Sequence, residues 1–437
     1  MDEDSGEAGR GVSDVAGRKR RRGLSTRAVH AGETSPPPPW LPVVAPIFQT
    51  APWSFASVAE LEAAYADERG TAIYSRQGNP TVRVLEEKIA ALEGADDAVA
   101  FASGMAALAT TLASVVPAGG RLLAADELYG GSEALLAWWA ARQPGIVIER
   151  RPLANVVERL DAELASDPDA SRDGAPLAAV HLETPSNPLL ACCDLAAVAE
   201  RCRRLGRRSG RRVVLVVDGT FAPPPVQQAL ALGADLVIHS ATKFLAGHSD
   251  VTAGVVAGGR EDLAAIRHAL TTTGGCLDPH AAFLVGRGVK TLSLRLARQV
   301  DNAERLASTA ADHPAVVRLH WPGSDPIGRT QMTSGGSMLA LELAGGAAAV
   351  VAFADAVGLM RIIPSLGGVE SGISIPALTS HRGLDAEARR SRGIGDGLLR
   401  ISCGIEDGDD LVEDLARGLD AARRAGSGDG AAAGDGG

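Results

Sequence analysis

The residues best placed to do chemistry lie in His239–Asp250, which reads HSATKFLAGHSD. A single lysine, Lys243, follows two hydroxyls, Ser240 and Thr242, and precedes a turn at Gly247 and His248. The apolar run Leu236–Ile238 leads into it and reads as a buried strand. An amine just beyond such a strand is desolvated, which lowers its pKa and frees it for Schiff-base chemistry with a carbonyl. The paired hydroxyls suit an anion such as a phosphate. A phosphorylated aldehyde, pyridoxal 5′-phosphate, needs both features. Taken alone, S-x-T-K reads equally as a surface lysine after a strand.

The second element is acidic. Arg211–Thr220 reads RRVVLVVDGT, a valine-rich run of the kind buried on both faces of a parallel sheet, and it ends in Asp218. An acid at the carboxyl end of such a strand points into the crevice where α/β proteins bind ligands. There it can hold a pyridine nitrogen protonated, making the ring an electron sink. A helix cap following the strand is the alternative. With Lys243 one strand further along, the cofactor reading is preferred.

These residues need a scaffold. From about Val82 to Leu270 strand patterns alternate with helical ones, which predicts a doubly wound sheet. Val82–Leu92, Met105–Val115 and Glu133–Arg142 have helical spacing, and Asp161–Ala175 reads as an exposed loop after a short helix. Ala281–Ala310 reads as a long helical stretch broken near Gly286–Gly288. Ser337–Leu343 and Leu398–Ile405 then read as strands, and Leu411–Arg424 as a final amphipathic helix. The charged residues before Gly23, ending in the basic run Arg18–Arg22, and the Gly/Ala/Asp tail Gly426–Gly437 read as disordered. Pro36–Pro39 reads as a stiff extended segment.

In order along the chain stand TRAVHAGE from Thr26, YSRQGNPT from Tyr74, SGMAA from Ser103 and DELYGG from Asp126. After them come ETPSNPLL from Glu183, VDGTF from Val217, SATKFLAGHSD from Ser240, SLGGVES from Ser365 and RISCGIED from Arg400. With these motifs the chain resembles the Cys/Met-metabolism group of pyridoxal-phosphate enzymes: cystathionine γ-synthases, cystathionine γ-lyases and methionine γ-lyases. The resemblance runs from about Thr26 to about Leu419 and implies a fold-type-I, aspartate-aminotransferase-like α/β architecture. A large, doubly wound, mostly parallel sheet domain would carry the cofactor, beside a smaller α+β C-terminal domain. It divides the chain into a tail (1–23), a segment packing on a partner subunit (24–80), the large domain (81–280), the small domain with its bridging helix (281–425) and a second tail (426–437).

The resemblance also assigns roles. Lys243 carries the cofactor and moves protons, and Asp218 faces the ring nitrogen. Ser103, Gly104 and Met105, at a helix start suited to anions, hold the phosphate with Ser240 and Thr242. Tyr74 and Arg76 match residues that reach the phosphate from a neighbouring subunit, although Arg76 alone reads as a solvated loop arginine. Tyr129 matches the tyrosine that stacks on the ring and acts near the leaving group. Two of the chain's three tyrosines thus fall in these motifs. Asn187 lies near the phenolic oxygen with Glu183 as its support, while Arg400 and Ser365 bind the substrate's α-carboxylate. A homotetramer, a dimer of dimers with shared active sites, is implied.

Three departures bear on the reaction. Gly219 replaces an asparagine common after the aspartate. Gly131 stands where methionine γ-lyases carry a cysteine. Pro364 occupies a position often acidic in bacterial γ-synthases and in γ-lyases, so it cannot hold the distal amine of cystathionine. Plant-type γ-synthases share that proline, together with KFLAGH and LDPHAAFLVGRGVKTLSLR from Leu277. The expectation is therefore γ-replacement on an activated homoserine ester by a thiol, with γ- or β-cleavage of cystathionine and methionine γ-elimination as alternatives. An ordinary aminotransferase does not explain YSRQGNPT, DELYGG and SLGGVES together. A regulator on such a domain needs a winged-helix module, for which the residues before Gly23 are too few. A catalytically dead relative would lack Lys243, Asp218 or Arg400, and all three are present.

Composition narrows little further. The chain has 437 residues, 46% of them hydrophobic, with a net charge of −10, a balance that disfavours nucleic-acid partners. No signal peptide or membrane-spanning run is read, so the expected compartment is the cytoplasm. The five cysteines show no zinc spacing, and their odd number argues against a disulfide framework. No metal is expected.

Overall fold

A computed structural model of the chain describes residues 22–33, 42–66, 72–166 and 175–427. The Pro36–Pro39 segment, most of the basic run and the last ten residues lie outside the described residues. Seven strands form the larger sheet: β1 (Asp97–Phe101), β2 (Arg121–Ala125), β3 (Val147–Arg151), β4 (Leu177–Glu183), β5 (Val214–Asp218), β6 (Leu236–His239) and β7 (Gly254–Gly258). Their order is β1-β7-β6-β5-β4-β2-β3, and β7 alone runs antiparallel to its neighbours. The central strands read as continuous apolar runs because helices cover both faces, and β5 and β6 are buried along nearly their whole length.

Helix starts follow local chemistry. In GNPT, Asn79 accepts a hydrogen bond from Thr81 N (2.9 Å), Pro80 takes the first helical position, and the helix Pro80–Glu93 runs to a left-handed cap at Gly94. Ser103 caps Gly104–Val115 through Ala106 N (3.1 Å). The five-stranded second sheet contains β8 (Val316–His320), β9 (Met338–Leu343), β10 (Arg361–Ile362), β11 (Gly372–Ser374) and β12 (Leu398–Ser402), in the order β10-β11-β12-β9-β8. It has its own apolar core against the helices Leu292–Ala311, Gly346–Ala356 and Gly408–Gly426.

Three sequence expectations need correction, one of them the strand read over Leu398–Ile405, which ends at Ser402. The long helical stretch breaks at Thr291, between Pro279–Lys290 and Leu292–Ala311, not at Gly286–Gly288. Gly288 is there for close packing: a Cβ on it would overlap the Ala246 carbonyl in the loop that carries Lys243. The expected loop at Asp161–Ala175 begins later, because the helix Val156–Ala165 continues through it with Leu160 buried. Ala175 is itself buried, and residues 167–174 fall outside the described residues. No described helix is long and apolar enough to cross a membrane.

Candidate active site

Parallel pairing brings the acidic residues to one edge. β4 and β5 pair with Glu183 opposite Asp218, so both carboxyl groups emerge at the carboxyl ends of adjacent strands. The loops after β1 and β6 close over the start of β7, where Gly254 has no side chain; a Cβ there would overlap the Ser103 carbonyl. Gly104 then lies against Ser240, where an added Cβ would stand 3.0 Å from the serine's own Cβ. The first N–H groups of Gly104–Val115 therefore meet the Ser240 hydroxyl at one cradle. Ser103 Oγ accepts from Ala106 N, which leaves its proton free for an anion. Thr242 is engaged differently: its hydroxyl donates to Ala253 O (3.2 Å) and accepts from Ala253 N (3.0 Å).

Around this edge lies a cavity of about 530 Å³. Ser103, Gly104, Met105, Tyr129, Glu183, Asn187, Asp218, Ser240, Thr242, Lys243 and Arg400 all line it. Lys243 Nζ donates to Ser365 Oγ (2.9 Å). Burial, reinforced by the positive charge of Arg400, lowers the amine's pKa to about 8. Arg400 arrives from β12, is buried, and donates from Nη1 to Asn187 Oδ1 (2.8 Å), with its guanidinium 5.4 Å from the centre of the Phe221 ring. Burial pulls its pKa down to about 10. Asp218 Oδ1 accepts from Thr220 N (2.8 Å).

Glu183 supports the tyrosine's segment. It accepts from Tyr129 N (2.8 Å) and Ser132 Oγ (3.0 Å), fixing the start of the helix Gly130–Arg142. Burial first, and the Asp218 charge second, raise its pKa to about 8. Tyr129 itself is 45% exposed.

Tyr74 and Arg76 do not line the cavity of their own chain. Arg76 donates from Nη1 to Thr271 O (2.8 Å) and stacks 5.6 Å from the centre of the exposed Tyr74 ring. One supporting residue escaped the sequence reading. Arg295, buried on the core stripe of Leu292–Ala311, donates to the carbonyls of Phe244 (2.9 Å), Leu245 (3.4 Å) and Gly288 (2.8 Å). It thus clamps the backbone just after Lys243. Its signal was the spacing Leu292, Arg295, Leu296, Gln299, which puts a cation on an otherwise core-facing stripe. Behind the loop, His239 Nε2 lies 2.5 Å from Glu93 Oε1 in a buried contact.

A depressed-pKa lysine, an anion cradle and a strand-end aspartate share one cavity, and they fit pyridoxal phosphate. The family described as Cys/Met metabolism PLP-dependent enzyme matches residues 25–420. The chain belongs to that family. L-methionine γ-lyase of Pseudomonas putida is 38% identical, over 93% of this chain and 99% of the relative. Chloroplastic cystathionine γ-synthase 1 of Nicotiana tabacum is 37% identical, over 94% of this chain and 71% of the relative. The solved cystathionine γ-synthase of Xanthomonas oryzae pv. oryzae superposes with a TM-score of 0.83 at 36% identity, covering 92% of this chain and 99% of that one. The chain is therefore a fold-type-I, PLP-dependent enzyme of sulfur amino-acid metabolism, with pyridoxal phosphate as its cofactor. Relatives named for elimination and for replacement align about equally well, so likeness alone does not separate the two reactions.

Proposed function

We propose that this enzyme catalyses γ-replacement, joining a thiol such as cysteine to the four-carbon skeleton of an activated homoserine ester, as a cystathionine γ-synthase does. The observation that carries the reading is where acids stand in the cavity. Asp218 and Glu183, both at strand ends, are the acidic side chains that line it among the described residues. The wall made by Pro364, Leu366, Leu378, Thr379, Ser380 and Arg382 has none. A cystathionine-cleaving enzyme must hold the second ammonium group of a long substrate, and this wall offers it no anion. Gly131 weakens the case for a methionine γ-lyase. A Cβ there would overlap the Tyr129 ring and stand 3.0 Å from Met105 Sδ, so a cysteine at this position would have to displace both side chains.

Roles follow from chemistry at each atom. When bound, pyridoxal phosphate supplies an electron sink for negative charge at the substrate's α- and β-carbons. Ser103, Gly104, Met105 and Ser240 would hold its phosphate, joined by Thr242 once its hydroxyl turns from Ala253, Asp218 would keep its ring nitrogen protonated, and Asn187 would face its phenolic oxygen. Arg400 grips the α-carboxylate with help from Ser365. Lys243 would take the α-proton and return protons along the carbon chain. Tyr129 protonates the departing γ-substituent. Tyr74 and Arg76, turned away from their own cavity, complete the site of a second copy in a dimer of dimers. The enzyme works in the cytoplasm.

The test offers O-acetyl-, O-succinyl- and O-phosphohomoserine with cysteine, and L-cystathionine or L-methionine alone, to the cofactor-loaded enzyme. At least one ester is expected to be used with a kcat/KM about 100-fold or more above that for either thioether. Comparable or faster release of 2-oxo acid from a thioether would assign elimination instead.

A further inference from the structure

The cavity wall without acids carries a cation whose purpose the shared machinery does not explain. Arg382 lines the cavity, and among the described residues its guanidinium has neither an ionic nor a hydrogen-bonding partner. The other cations of the cavity are engaged: Lys243 donates to Ser365 and Arg400 to Asn187. In the proposed reaction, Arg400 meets the α-carboxylate and Asp218 the cofactor's ring nitrogen. Nothing in that allocation gives Arg382 a counter-ion.

Its position is built by the segment before it. Thr379 Oγ1 donates to Ile375 O (2.8 Å), His381 N donates to Pro376 O (2.9 Å), and Ser380 Oγ lies 2.9 Å from His381 Nδ1. His381 is buried and reaches the backbone of Leu128. The Ser380 carbonyl packs on Gly130 so closely that a Cβ there would overlap it. The turn ending at Arg382 is therefore pinned to the residues on either side of Tyr129. The turn holds the backbone of Arg382 while its unpaired guanidinium stays free to swing at the rim of the cavity that Tyr129 also lines, where it can meet a charge carried by the leaving group.

We propose that Arg382 selects esters whose γ-substituent is itself anionic, a dicarboxylic-acid monoester or a phosphate, over the neutral acetyl ester. This rests on the γ-replacement reading and names its substrate class. A guanidinium pairs with carboxylate or phosphate through two parallel N–H···O bonds and gains nothing comparable from a methyl group. Because Arg382 is exposed at the rim, the effect is moderate and weakened by salt.

The experiment compares wild-type holoenzyme with Arg382→Ala and Arg382→Lys on O-succinyl-, O-phospho- and O-acetylhomoserine with cysteine, following cystathionine and 2-oxobutyrate together. For Arg382→Ala, the kcat/KM ratio of anionic to acetyl ester is expected to fall about tenfold, mostly through KM, and Arg382→Lys to fall between. Raising the ionic strength should erode the wild-type ratio and leave that of Arg382→Ala nearly flat. The anion whose ratio falls further, succinyl or phosphate, is the one the site is built for. A ratio unchanged within about twofold in both variants overturns the proposal. If 2-oxobutyrate forms and cystathionine does not, γ-replacement fails, while the same ratio read on 2-oxobutyrate still decides Arg382. Should no ester react, calorimetric affinities of the holoenzyme for the three esters give the ratio, and equal affinities overturn it.

Discussion

Lys243→Ala is expected to lower turnover by about 10³-fold or more, because the proposed mechanism asks one amine both to carry the cofactor and to move the protons. Lys243 is the only lysine lining the cavity among the described residues, so no neighbour can substitute. Borohydride reduction followed by peptide mapping should attach the cofactor to the Lys243 peptide of the wild type and to no peptide of the variant. The same side chain predicts a pH signature. Its pKa falls to about 8 in the fold, mainly through burial, against 10.5 ordinarily. Between those values the unfolded chain holds more protons than the native one, so this group makes apoprotein stability rise with pH across about 8 to 10.5. Below about 8 the fold bears the cost of a buried charge. The variant should lack that slope in chemical denaturation at several pH values, and it should be no less stable than the wild type at pH 7. Retention of a tenth of the activity, or an unchanged slope, would remove Lys243 from its central place.

Arg400→Met is expected to separate stability from activity. The guanidinium is fully enclosed, has one hydrogen-bonded partner, Asn187, and lies over the Phe221 ring. No carboxylate pairs with it among the described residues, so the fold keeps a buried cation with little compensation until an anion arrives. Replacing such a charge by an apolar side chain of similar length is commonly neutral or stabilising. The apoenzyme's Tm should therefore hold or rise, while kcat/KM falls about 10²- to 10⁴-fold with the loss of the desolvated, bidentate contact to the α-carboxylate proposed for Arg400. A large fall in Tm with little change in kcat/KM would make Arg400 a structural residue.

Much of the site was legible because its residues sit at places local chemistry marks. A valine run ending in aspartate, an apolar run ending in S-x-T-K, and a serine before a helical pattern each announce a strand end or helix start. Parallel pairing then gathers such ends at one edge. Contacts between distant segments were not legible. Nothing in the order of residues says that Arg295 clamps the Lys243 loop, that Phe221 lies under Arg400, or that the Ser380 turn leans on Gly130. The same limit explains the misplaced helix break, since Gly288 answers to the Ala246 carbonyl and not to its own helix. Thr242 shows it at atomic scale, with a hydroxyl drawn to Ala253 across the loop. The final strand was read as Leu398–Ile405 but ends at Ser402, because Gly404 turns beneath Ser371.

The most direct measurement is the partition between products from a single ester. Cofactor-loaded enzyme is given O-succinyl- or O-phosphohomoserine at saturating cysteine, and cystathionine and 2-oxobutyrate are quantified in the same reaction by NMR. The cavity described here predicts cystathionine in at least tenfold excess, with 2-oxobutyrate becoming prominent only when cysteine is withheld. Predominant 2-oxobutyrate at saturating cysteine would contradict γ-replacement and make the enzyme a lyase.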